Sequence, residues 1–104
     1  MDNSTLKLQF HRKMIELYET AARECSYRPI RFLQMVTERG GLRAAKELLH
    51  SSRPAEGLSI LWERGRLDLS VENHVRSHPW RSLFSEAEIQ TAENRLRDFG
   101  FQLP

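Results

Sequence analysis

The chain has 104 residues and 12.2 kDa, with sixteen Lys/Arg, fourteen Asp/Glu and four His, for a formal net charge of +2. That length predicts one domain with one core, and the lack of a long apolar run excludes a membrane-spanning segment. The single cysteine, Cys25, excludes an intramolecular disulfide and any zinc site needing two thiolates from one chain. The polar residues among Leu6 and Leu8 at the start do not make the apolar centre of a secretory signal, so a cytoplasmic location is expected.

The basic residues are unevenly placed. Residues 1–53 carry ten Lys/Arg and six Asp/Glu, whereas 54–104 carry six and eight. Thirteen of the sixteen cations are arginines, whose planar fork suits carboxylate and phosphate alike. An overall +2 does not by itself announce nucleic-acid binding, and the two halves could neutralise each other on folding.

Sustained alternation of apolar and polar residues is missing, and the spacing predicts an all-α bundle of about six short-to-medium helices, one domain over 1–104. Phe10, Met14, Leu17 and Ala21, with Ile15, Tyr18, Ala22 and Cys25, recur at helical steps and predict a long helix over 4–25. Ser26 to Pro29 breaks it, because a residue before proline is pushed out of the α region. A second helix then opens on Pro29 and runs to Arg39. Its Ile30, Phe32, Leu33, Met35 and Val36 exceed a narrow stripe, so it is expected to be the most buried element.

Gly40 and Gly41 form the helix stop. Leu42, Ala45, Leu48 and Leu49 predict a third helix, with Arg43, Lys46 and His50 along its opposite side. After a loop over Ser51 to Pro54, a fourth helix from Ala55 to Arg64 should turn Leu58, Leu61 and Trp62 inward and stop at Gly65. Ser70 caps a short fifth helix over Val71 to Ser77, ended by Pro79. The sixth start is the clearest: Ser85 and Glu88 have capping-box spacing, and Phe84 and Ile89 occupy the hydrophobic-staple positions. Ile89, Ala92, Leu96 and Phe99 follow one face to Gly100, and Phe101 and Leu103 can dock the tail.

No set of residues converges on a reaction, and no cofactor is expected. His74 and His78 stand four apart, a spacing used in zinc sites, but two imidazoles are too few and Pro79 follows directly. Glu72, the distant Cys25 or a further carboxylate would have to complete such a site; two surface histidines explain the spacing as well. Cys25 lies on the apolar face of the first helix, where a thiol is inert packing. His11, at the edge of that face, reads as a partly buried histidine bonded to backbone. Glu16, Glu19, Glu86, Glu88 and Glu93 are expected on solvent faces, so no carboxylates pair. The Gly40–Gly41 pair lacks a phosphate-loop frame. Arg64, Arg66 and Asp68 around Gly65 suggest a buried ion pair that orients the turn.

Two binding readings remain. The leading one is a non-enzymatic binding or regulatory module that docks onto a larger protein partner, with Arg28, Arg31, Arg39, Arg43 and Lys46 as candidate anion- or partner-binding residues. The alternative treats 29–50 as a helix-turn-helix-like unit for nucleic acid. Arg43 and Lys46 would then enter the groove, and Arg28, Arg31 and Arg39 would meet phosphates. Against this stand the short third helix and the neighbouring Glu38 and Glu47, and a plain helical hairpin has the same pattern. Trp62 reads as core. Trp80 either plugs the core, the favoured reading, or stands out as an interface anchor. A metal-dependent enzyme through His74 and His78 is the remote third reading.

The segments RFLQMVTERGGLRAAKELLHS (31–51), LWERGRLDLSVENHV (61–75) and WRSLFSEAEI (80–89) resemble a family of small bacterial proteins of uncharacterised activity. The likeness spans most of the chain. It implies a bacterial origin and a single-domain helical form, and no chemistry.

Overall fold

A computed structural model describes residues 3–51 and 56–103, apart from the side chain of Glu56. Six α-helices follow one another: α1 (Ser4–Cys25), α2 (Ile30–Arg39), α3 (Gly41–His50), α4 (Glu56–Glu63), α5 (Val71–Val75) and α6 (Glu86–Asp98). Short 3₁₀ turns stand at Leu67–Leu69 and Trp80–Leu83, and the described residues contain no strand. The expected all-α bundle is therefore what the chain forms. The loop expected over Ser51 to Pro54, apart from Ser51, and the Ala55 start of the fourth helix lie outside the described residues.

Local signals set most boundaries. Ser26 leaves α1 in the left-handed conformation at φ 53°, and the Tyr27 N–H closes on the Ala21 carbonyl. Ser70 accepts a hydrogen bond from the Asn73 N–H and donates to the Leu67 carbonyl, so one hydroxyl ends the 3₁₀ turn and starts α5. That helix stops at Val75, two residues before the expected end. Ser85 and Glu88 complete their reciprocal capping box.

The two adjacent glycines divide their work. Gly40, at φ 88°, caps α2 in a conformation that L side chains avoid. Gly41 is instead the first residue of α3, and a Cβ there would stand 2.6 Å from the His11 Cα. Its N–H donates to Nδ1 of His11 at 2.9 Å, which fastens the start of α3 to α1. His11 is thus partly buried and bonded to backbone, as its position on the edge of α1 suggests.

Two apolar clusters share the interior. One gathers Phe10, Met14, Leu17, Val36, Ala44, Ala45, Leu49, Val75, Phe84, Ile89 and Ala92; the other gathers Cys25, Leu58, Leu61, Leu67 and Leu96, with Phe101 and Leu103 against it. Phe10 packs edge-on against both Trp80 and Phe84, at 5.6 and 5.5 Å between ring centres. Each such contact adds about 1 kcal/mol beyond burial.

Two burial expectations are corrected. In α2, Val36 is the only residue counted as fully buried, and Ile30 is 53% exposed. Ile30, Phe32 and Met35 of α2 line a surface cleft. Trp62, expected in the core, is instead 52% exposed and tilted against Phe99, while Trp80 is partly buried against the core, as its favoured reading has it. Trp80 thus packs its ring against the core from an irregular stretch.

Candidate binding cleft

The five basic residues singled out in the first half divide into two groups. Arg39 pairs with Glu47 at 2.6 Å, and Arg43 approaches the other oxygen of the same carboxylate at 3.7 Å. Lys46 reaches across to α6, where its ammonium lies 2.8 Å from Glu88 and 5.1 Å above the Phe84 ring. Arg28 and Arg31 are exposed and make no ion pair among the described residues.

Those two arginines share a cleft. It has a volume of about 610 Å³, with Pro29, Ile30, Phe32, Met35 and Leu48 among its apolar lining. Arg28 and Arg31 lie in that lining as well, as does Glu47, already held by Arg39 and Arg43. Pro29 positions this arrangement: the chain leaves α1 at Ser26, Pro29 keeps the residue before it out of the α region, and α2 begins at Ile30 directly after it.

Glu88 is far from the solvent face expected for it. It is 7% exposed, with one oxygen on the Ser85 N–H and Lys46 and the other 2.9 Å from Nε2 of His50. Burial pushes its carboxyl up, but Lys46, the Ser85 N–H and His50 outweigh burial and hold it at about 2. Lys46 and His50 are therefore internal partners of α6. Next to them on the same helix, buried Arg95 donates to the carbonyls of Leu48, Leu49 and Ser51, at 3.0, 3.4 and 2.6 Å. It supplies donors to carbonyls at the end of α3, where Leu48 otherwise receives the Ser51 N–H at 3.4 Å. Sequence reading missed Arg95; its only signal is a place one residue before Leu96 on the face shared with Ala92.

The remaining charged groups separate. Arg66 bonds Asp68 and Glu24 of α1, pinning the turn after α4, but this network lies on the partly exposed surface and leaves out Arg64. The buried ion pair expected here is corrected accordingly. His74 donates from Nδ1 to the Ser70 carbonyl at 2.9 Å, and burial lowers its affinity for a proton. α5 ends before His78, which is exposed and joined to Pro79 by a cis peptide bond. The two imidazoles do not share a helical face. Among the described residues no three His, Cys, Asp or Glu side chains gather as metal ligands, and Cys25 is buried in the second apolar cluster.

A second, smaller cavity of about 80 Å³ lies beside the cleft and shares Tyr27, Pro29, Phe32, Leu48 and Gly57 with it. Its lining includes Glu72, which is 3% exposed and has Oε2 without a hydrogen-bond partner. Burial raises the Glu72 carboxyl above its ordinary range; its own backbone N–H and the charge of Arg95 oppose this. Sequence reading considered Glu72 only as a metal ligand. The signal it passed over is the step from Glu72 to Val75, which puts the carboxyl on the buried side of a five-residue helix.

No family model matches the chain, and no curated protein or solved structure matches it. Among the described residues, no helix is long and apolar enough to cross a membrane.

Proposed function

We propose that this protein is a non-enzymatic docking module that holds a segment of a larger protein in the cleft at the start of α2. The occupant carries an apolar side chain beside one or more carboxylates. The observation behind this reading is the placement of Arg28 and Arg31, without ion pairs among the described residues, next to a half-exposed Ile30 in an apolar cleft. An exposed branched side chain offers contact area, and two flanking guanidinium groups select anions and steer their approach. Charge complementarity thus argues for an acidic, apolar-anchored segment.

The nucleic-acid reading relies on Lys46 and Arg43, and the carboxylates of Glu88 and Glu47 already engage them. A bacterial origin, implied by the sequence resemblance, is compatible with a small adaptor of this kind.

Peptide display against the immobilised full chain tests the proposal. Enriched peptides should place Asp or Glu beside Leu, Ile, Phe or Met. The double variant Arg28→Glu, Arg31→Glu should bind them at least about tenfold more weakly, because reversing rim charges replaces attraction with repulsion. Enrichment without acidic residues, equal binding by the reversed variant, or tighter binding to duplex DNA than to any peptide would overturn it.

A further inference from the structure

We propose that the small cavity walled by α1, α4 and α5 is a binding site for a primary aliphatic amine, with the ammonium seated on Glu72 and the alkyl chain against the apolar walls. The site is separate from the docking reading, since a free amine needs no partner protein. It lies where the two apolar clusters meet: Leu17 comes from one, Leu58 and Leu61 from the other, and Leu69 packs against both. Gly57 leaves the space that Tyr27 fills, for a Cβ at Gly57 would lie 2.8 Å from the tyrosine oxygen. The aromatic ring and the missing side chain together shape the wall.

The polar end of the ligand follows from Glu72. Buried polar atoms in native proteins nearly always have a partner, and the Oε2 of Glu72 has none. Neither neighbouring cation bonds it: Arg95 spends its donors on the carbonyls of α3, and Arg76 turns its Nε, itself without a hydrogen-bond partner, toward Glu93 at 3.5 Å. A carboxylate so placed lacks a donor at contact distance, which an ammonium group provides in its strongest, charge-assisted form. Among the described residues no group of three His, Cys, Asp or Glu side chains includes Glu72, which makes it a poor metal site.

The apolar end follows from the walls and the volume. Leu17, Ala21, Phe32, Leu58 and Leu61 present hydrocarbon. Taking roughly 15 Å³ of such space per water-sized group, a cavity of about 80 Å³ admits about five heavy atoms. A four-carbon amine has that size.

The probe is n-butylammonium, with n-butanol as its neutral counterpart, titrated into the full chain and followed on the ¹³C-labelled leucine methyls. The amine should shift Leu17, Leu58 and Leu61 saturably and bind at least about tenfold more tightly than the alcohol, the usual value of a hydrogen bond to a charged group. In Glu72→Gln, which keeps the side-chain size, that preference should vanish. Absence of saturable shifts, equal affinity for amine and alcohol, or an unchanged preference in Glu72→Gln would overturn the proposal. If that variant does not fold, the amine-to-alcohol ratio in the unaltered chain decides the matter.

Discussion

The junction of α3 with α6 and the cleft at the start of α2 use the same residue types for opposite ends. At the junction Lys46, His50 and the Ser85 N–H converge on Glu88, and Arg95 closes the end of α3. At the cleft Arg28 and Arg31 stand beside half-exposed Ile30 with no ion pair among the described residues, and in the adjoining small cavity Glu72 keeps an unpartnered oxygen. Charge that is satisfied internally stabilises the fold and leaves nothing for a ligand. Charge or apolar surface left unpaired on the outside contributes little to the fold and stays open to a ligand.

If the junction is structural, its variants should cost the most. Arg95→Ala removes the donors to three carbonyls and leaves a hole in place of a buried side chain, a loss of about 3 kcal/mol. Denaturant unfolding measures it directly. Arg95→Lys should recover only part, because one ammonium cannot reproduce the guanidinium fork that spans Leu48 and Ser51. A loss under about 0.5 kcal/mol for Arg95→Ala, the range of ordinary surface changes, would dissolve the contrast between the two regions.

Glu88 should come next. Glu88→Ala removes one half of the capping box together with the partner of Lys46 and His50, and should cost about 2 kcal/mol, the exposure of both cations reducing what each pair contributes. The pH dependence has a definite sign. The Glu88 carboxyl titrates at about 2 in the folded chain against an ordinary 4.5, so the unfolded chain takes up its proton first. Its contribution is present above 4.5 and disappears as pH falls toward 2. Glu72 runs the other way: its raised carboxyl favours the folded chain fully below 4.5, and that advantage is lost as pH rises from 4.5 through the higher folded value. Acid titration of Glu88→Gln should therefore show less acid-induced loss than the unaltered chain, and the same titration of Glu72→Gln more.

The helices were legible because phase, caps and glycines act within a few residues. Ser85 and Glu88 specify the start of α6 without help from the rest of the chain. Which face of a helix is covered depends on neighbours far along the sequence, and there the reading failed. Trp62 follows Leu61 on α4 but lies beside the buried stripe of Leu58 and Leu61, whereas Trp80, in an irregular stretch, meets Phe10 from seventy residues away. Glu88 and Arg95 were placed outside or passed over because long charged side chains are ordinarily solvated; burial became tolerable only when α3 brought them Lys46, His50 and a row of carbonyls. The apolar excess of α2 was real, but it signalled a cleft and not deep burial.

The smallest effect should come from the cleft, and it is the most informative about the comparison. Ile30→Ser exposes less hydrocarbon and Arg31→Gln removes a cation without an ion pair among the described residues, so each should change stability by less than about 0.5 kcal/mol. Chemical denaturation midpoints of both variants beside that of Glu88→Ala provide the scale. A cost at Ile30 near that of Glu88→Ala would mean that the side chain closes the bundle, and the cleft would then belong to the fold. Near-equal stability, combined with loss of peptide binding, would separate the two regions: three of the five basic residues, Arg39, Arg43 and Lys46, meet the protein's own carboxylates, and the proposed partner would meet Arg28 and Arg31.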